Sequence, residues 1–379
     1  MAMNALRKHI AIAIDGGGIR GLIVSQALQV LEEAMGGEPL IHHPQIKILA
    51  GTSTGAVIGT GIAIGMHMKD ITQIYLDLGR TVFPPLFPAW VPASLQDMLK
   101  LLLGVFKPAL YPNRTLKDIL CSHIDRLTGD PNLTLGALQK RLKSDQALVI
   151  TAANINERRT HFLKSNDGKD AHWELWAAAL ASAAAPTVLP VIPYDGAFFT
   201  DGGVGSFGNP GAVAAREAVE WRGYAPGDVS VISIGTGWSS AATFEAAHGR
   251  PDTWKNVDWA MNAVQIMLGD AARSQSVDVI HDFVAQGMDF RRFQIELNPD
   301  IDMADTRDAT MARMQQLGVE LGQRILQNQY ASEDHPEFDP EGIFAAVERY
   351  EASLARSRRQ SAAPNAPIIG IIPNGQLRR

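Results

Sequence analysis

The chain of 379 residues has a single cysteine, Cys121, so no disulfide framework can form within it. A chain this long needs none, because it buries about three quarters of its unfolded surface. An excess of basic charge is also missing. Lys and Arg number 34 against 40 Asp and Glu, a net charge of −6, which argues against a surface given over to gripping a nucleic acid polymer. Long apolar runs are scarce. The run Ile10–Ile14 has five residues, too few for the apolar region of a signal peptide. The uncharged window Ile48–Met66 has 19 residues, including five glycines and four hydroxyl residues. It approaches the length of a membrane span, but a buried strand, a tight turn and a buried helix account for it better. One thiol and no signal peptide give a cytoplasmic location as the expectation.

Glycine is abundant, with 34 residues, and glycine marks backbone that turns tightly or approaches a ligand. Ile10–Ile14 reads as a parallel strand covered on both faces, and from Gly21 the apolar spacing becomes helical. Gln45–Ala50, Ala147–Ala153 and Val229–Gly235 are further strand candidates, while Thr54–Met66 and the Ile71–Leu78 pattern read as helices. Strands alternating with helices imply a mostly parallel sheet with helices on both faces. The pattern breaks over Phe83–Tyr111, which is rich in proline, aromatics and leucine and reads as a packed insertion or as a lid facing lipid. Helices are expected over Met303–Gln327 and Glu341–Arg356. Residues 356–379 hold five arginines and no acid, which predicts a flexible basic tail, with anchoring on an anionic surface as the alternative.

Two glycine-rich turns join a strand to a helix. The first, Asp15-Gly-Gly-Gly-Ile-Arg-Gly21, matches G-x-G-x-x-G at Gly16, Gly18 and Gly21, a weak dinucleotide signal by itself. The acidic residue that a dinucleotide site wants at the end of the second strand is absent there, and Glu32 and Glu33 fall inside a helix. Outward backbone N–H groups at a helix N-terminus still suit an anion, including the oxyanion of acyl transfer. The second turn, Gly51-Thr-Ser-Thr-Gly55, is G-x-S-x-G between a strand and an apolar helix. That is the context of a nucleophile elbow, which would display the Ser53 hydroxyl beside the Thr54 N–H.

A serine nucleophile needs a base. None of the ten histidines sits in a small-residue loop after a strand. Asp201, in Phe198-Phe-Thr-Asp-Gly-Gly-Val204, follows an apolar stretch and precedes Gly202 and Gly203. An ordinary Asp-Gly turn is the plainer alternative.

These motifs, followed by Ala-Ser-Ala-Ala-Ala-Pro-Thr (181–187), Asn-Pro (209–210) and Ser-Ile-Gly-Thr-Gly (233–237), occur in the order found in patatin-like phospholipases. The resemblance runs from about Lys8 to Pro299. It implies a three-layer α/β/α sandwich and one domain over 8–355 that includes C-terminal helices from about residue 303. It also implies Ser53 as nucleophile and Asp201 as base, with Gly16, Gly17, Gly18 and Arg20 in an oxyanion loop. The implied activity is hydrolysis of phospholipid acyl esters without metal or cofactor, in peripheral contact with a membrane. The chain departs from the family at Gly208 before Asn-Pro and at Val188-Leu189 after Ala-Pro-Thr. Some bacterial members are held inactive until a cyclic nucleotide of antiviral signalling binds, which makes such a nucleotide a candidate activator. The rival readings are an α/β-hydrolase with a Ser-His-Asp triad, a dinucleotide enzyme, and a binding or storage protein with an idle site.

Overall fold

The computed structural model describes residues 6–82 and 109–331. Its eight strands are β1 (His9–Ile14), β2 (Ile46–Thr52), β3 (Ala147–Asn154), β4 (Arg159–Lys164), β5 (Ile192–Tyr194), β6 (Ala197–Asp201), β7 (Val229–Ile234) and β8 (Asp289–Phe293). They form one sheet in the order β5-β6-β3-β2-β1-β7-β8, with β4 also on β3. The five strands β3, β2, β1, β7 and β8 are parallel, while β4, β5 and β6 join antiparallel. The helices described are α1 (Gly21–Ala34), α2 (Thr54–Ala63), α3 (Met68–Thr81), α4 (Asn113–Thr128), α5 (Leu135–Arg141), α6 (Leu175–Ala183), α7 (Gly211–Arg216), α8 (Ala241–His248), α9 (Asn256–Asp282) and α10 (Asp308–Leu326).

Alternate side chains of β1 point to opposite faces of the sheet and enter two different cores. Ile10, Ile12 and Ile14 pack with residues of α1, α2, α4, α6 and α10. Ala11 and Ala13 pack with α7, β7 and Val279 of α9. The sheet is therefore the middle of three layers. Its second face carries alanines on β1 and on α7, so that helix lies close against the strands.

The expected strands all form. Four others were not anticipated, and two of them hide behind charge. Lys164 of β4 is buried against Glu217 (2.8 Å), and Arg292 of β8 is buried against Asp15. Charged residues so paired erase the apolar signature of a strand without preventing burial. The helix expected over Met303–Gln327 begins later, at Asp308, because the Met303 carbonyl accepts from Ile19 N–H (2.9 Å) in the first glycine turn. The helix after Ser53 ends at Ala63 rather than Met66. Most of the expected lid (83–108), the helix over 341–356 and the basic tail lie outside the described residues. Among the described residues no helix is long and apolar enough to cross a membrane.

Candidate active site

Ser53 sits between β2 and α2 with φ 56° and ψ −123°, a left-handed conformation that a side chain rarely adopts and that marks stored strain. Close packing enforces it. A Cβ at Gly55 would lie 2.1 Å from the Ile14 carbonyl oxygen, and one at Gly51 2.3 Å from that of Gly55. The Ser53 N–H is held by the Ser182 hydroxyl (2.8 Å) at the end of α6. Behind the turn, the buried Tyr75 hydroxyl bonds the Thr54 hydroxyl and donates to the Thr54 carbonyl (3.1 Å), and burial pushes its pKa up.

Strand register brings Asp201 to the serine. β2 pairs with β3 through Thr52↔Thr151, and β6 takes over the same edge of β3 one residue later, at Ala152↔Asp201. Asp201 thus lies just past the end of β2, where Ser53 stands. Its backbone N–H donates to the Ala184 carbonyl (3.0 Å). The 181–187 motif therefore braces both residues, Ser182 holding Ser53 and Ala184 holding Asp201. Gly202 and Gly203 open the 3-10 turn that follows, and Gly203 N–H donates to Oδ1 of Asp201 (2.8 Å). Burial pushes the Asp201 carboxyl up to about 6, against the opposing effect of hydrogen bonds from Ser53 and Gly203. Such a carboxylate is ionised at neutral pH and can take up a proton.

The first glycine turn faces this pair. Gly18 has φ +59°, and a Cβ there would lie 2.3 Å from the Met303 carbonyl oxygen. Gly16 differs from its neighbours, because its N–H is bonded to the Gly208 carbonyl (2.9 Å). That leaves the N–H groups of Gly17 and Gly18, with that of Thr54 at the start of α2, as donors without an acceptor among the described residues. Arg20 is half-buried beside Asp300, Asp302 and Asp15, with burial holding its pKa below the usual guanidinium value. Its Nε donates to the Gly17 carbonyl (3.4 Å). Gly21 begins α1.

Beneath the loop lies a buried polar network that sequence reasoning missed. Arg292 grips Asp15 with two parallel bonds (2.8 and 2.6 Å) and also donates to Ser233 (2.8 Å). Ser233 donates to Asn209 (3.0 Å), which in turn accepts from Gly211 N–H (2.8 Å) and donates to Ser276 (2.9 Å). Asp15, Asn209 and Ser233 each belong to a motif noted in the sequence. Arg292 and Ser276 carried no signal.

No histidine among the described residues bonds to Ser53 or Asp201. His161 pairs with Ala152 from the opposite edge of β3, two strand spacings, or about 10 Å, from the Asp201 backbone, and it bonds Asp170 (2.8 Å). His172 bonds Asp195, and His248 bonds Asp300. The candidate acids for a dinucleotide site are elsewhere: Glu32 receives Met68 N–H (3.0 Å), and Glu33 accepts from Gln29 on the exposed side of α1. Among the described residues no cluster of three or more His, Cys, Asp or Glu could hold a metal ion.

Comparison with known proteins matches residues 12–213 to the family model described as patatin-like phospholipase. The chain belongs to that family. As a patatin-like protein it is 27% identical over 242 residues to a cGAMP-activated phospholipase of Pseudomonas aeruginosa, covering 62% of this chain and 64% of that one. It therefore spans less than two thirds of that relative's length. Patatin-17 of Solanum cardiophyllum is 25% identical over 388 residues, covering 94% of this chain and 92% of its own. Among solved structures, VipD of Legionella pneumophila aligns with a TM-score of 0.43 at 14% identity, covering 93% of this chain and 76% of that one.

Proposed function

We propose that this patatin-like protein is a lipid acyl hydrolase of phospholipase A type, working through a Ser53–Asp201 dyad. Asp201 accepts the Ser53 proton as Oγ attacks the ester carbonyl, and the N–H groups of Gly17, Gly18 and Thr54 meet the charge that develops on the carbonyl oxygen. The proton passes to the leaving alkoxide as the acyl-enzyme forms. Asp201 then draws a proton from water, whose oxygen attacks the acyl carbon, and Ser53 recovers its proton as the fatty acid leaves. The observation that carries this reading is the buried Asp201 carboxyl, pushed up to about 6 beside a serine in a strained turn. A base works best with a pKa near the working pH. The geometry argues against a triad, since His161 is turned to Asp170 on the far edge of β3.

The test is covalent labelling by a fluorophosphonate, blocked in Ser53→Ala, together with mass spectrometry of phospholipid vesicles before and after incubation. Labelling of Ser53 with release of free fatty acid is the expected result. An intact serine that neither labels nor hydrolyses would favour the idle binding protein. The Pseudomonas relative is a cGAMP-activated phospholipase, which makes cGAMP the first activator to add, and cGAMP-dependent turnover would extend the reading to a regulated antiviral effector.

A further inference from the structure

Solvent-facing side chains of a surface helix are normally polar, and the outer half of α9 breaks that rule. Trp259, Ala263, Ile266 and Met267 follow one another at helical spacing along one face. Trp259 is 50% exposed, Ile266 42% and Met267 59%, while Asn262, one turn from both Trp259 and Ile266, is buried at the edge of this face. No charged residue occurs between Asp258 and Asp270.

The direction of α9 decides where this stripe stands. The helix leads into β8, which is parallel to β7, so α9 runs against the parallel strands and starts at their carboxyl ends. Ser53 and the glycine turn lie at that same end. Asn209 fixes the level, since its Nδ2 donates to the Ala272 carbonyl (3.1 Å) and to Ser276. At 1.5 Å per residue, Trp259 lies about 20 Å farther out along the helix than Ala272. The helix also packs against the Gly202–Gly205 turn that follows Asp201, where Val204 is exposed. The helix that carries the apolar stripe thus also borders the turn that follows Asp201.

The outer tip is aromatic and basic. The Trp254 ring packs edge-on against Trp259 (5.1 Å between centroids) and near Phe244 (6.1 Å), with Trp254 Nε1 donating to the His248 carbonyl (2.9 Å). Lys255 is exposed between the two tryptophans. Indole rings, a lysine ammonium and the exposed Ile266 and Met267 side chains together suit the boundary between the headgroups and acyl chains of a phospholipid layer.

We infer that the outer half of α9 is the membrane-docking element. On this inference, Trp259, Ile266 and Met267 enter the interface of a phospholipid bilayer and bring the carboxyl end of the sheet, with Ser53, against it. The choice of lipid as occupant rests on the hydrolase reading above, because a phospholipid ester reaches a buried serine only from a membrane surface applied to the rim of the site.

Docking is tested without catalysis, on full-length Ser53→Ala protein sedimented with vesicles of phosphatidylcholine and phosphatidylglycerol. Adding Ile266→Gln and Met267→Gln should lower partitioning at least tenfold with an unchanged melting temperature. Brominated phosphatidylcholine should quench tryptophan emission, and Trp259→Phe should remove most of that quenching. Failure of the parent to bind vesicles, equal binding by the double variant, or quenching unaltered by Trp259→Phe would each overturn the assignment. So would light scattering that finds a dimeric parent and a monomeric double variant, which would give the stripe to a second copy of the chain. With Ser53 intact, the double variant should keep its turnover of a short soluble ester and lose at least tenfold on vesicles. Equal rates of the parent and the double variant on vesicles would refute the docking role. If neither substrate is turned over while the difference in partitioning persists, the hydrolase reading fails and the docking surface stands.

Discussion

Replacing Asp201 by asparagine should make the protein inactive and more stable at the same time. Burial raises the carboxyl from 3.8 to about 6, which corresponds to roughly 3 kcal/mol of cost to the ionised form. Below about pH 4 the group is protonated in both the folded and the unfolded chain, and it favours neither. Between pH 4 and 6 the unfolded chain loses the proton first, so the native state loses stability as pH rises. Above 6 the full cost is present. Asparagine keeps the shape and the acceptor for Gly203 N–H, can donate to Ser53, and carries no charge. At pH 8 the variant should therefore gain up to about 3 kcal/mol. With an unfolding entropy of about 0.8 kcal/mol/K for a chain this long, that is a rise in Tm of about 4 °C. The gain should vanish near pH 4, while at pH 8 turnover of a soluble ester falls by about a thousandfold or more. Calorimetry at the two pH values, paired with the ester assay, measures both effects. A Tm at pH 8 no higher than the parent's, or a gain equally large at pH 4, would refute the argument from burial.

Ser53→Ala should lose several orders of magnitude in kcat with the fold intact, and retention of a tenth of the parent rate would remove it as nucleophile. At Gly17 an added Cβ would lie 2.2 Å from Oγ1 of Thr236, so Gly17→Ala should cost about 1–3 kcal/mol of stability and lower kcat with little change in KM. A raised KM with normal kcat would give the loop a substrate-binding role instead. Arg292→Met leaves Asp15 buried without its partner and should destabilise by about 3–5 kcal/mol. Adding Asp15→Asn should restore part of the loss, and no recovery would show that the cost is packing. The acid limb of kcat/KM should lie near pH 6, as the Asp201 carboxyl requires. Because carboxyl groups ionise with little heat and imidazoles with much, this limb should barely move with temperature and should survive His161→Gln. A limb that shifts with temperature and disappears in that variant would restore the triad.

Four of the five parallel strands were legible because they are nearly pure apolar runs, and the turn at Ser53 because glycines on both sides announce a bend too tight for side chains. Asp201 was legible only as one Asp-Gly turn among several. Nothing in its own sequence says that β6 continues the edge of β3 where β2 stops, since that is a property of register across 150 residues. The same limit hid Ser182, Ala184 and Tyr75, which act through a single hydroxyl or carbonyl at the end of a helix or from a neighbouring one. Arg292 and Lys164 ran against the pattern, because buried charge looks like surface until its partner is known. At Gly16 the motif and the fold differ. The motif offered three equivalent N–H donors, and the fold gives the first of them to Gly208.

The bridge between Asp15 and Arg292 joins residues 277 positions apart, and the Met303 carbonyl that receives Ile19 N–H comes later still. Ribosomes add about 5–20 residues per second, so the glycine turn leaves the exit tunnel roughly 15–55 s before the arginine that fixes it. During that interval the donors proposed for the oxyanion lack the Arg292 bridge beneath them and the Met303 contact beside them. A nascent or prematurely ended chain is thus denied an ordered site by the order of synthesis alone. Under the hydrolase reading proposed above, the late arrival of one buried arginine would delay an ordered site in a protein whose substrate would include the membranes of the cell that makes it.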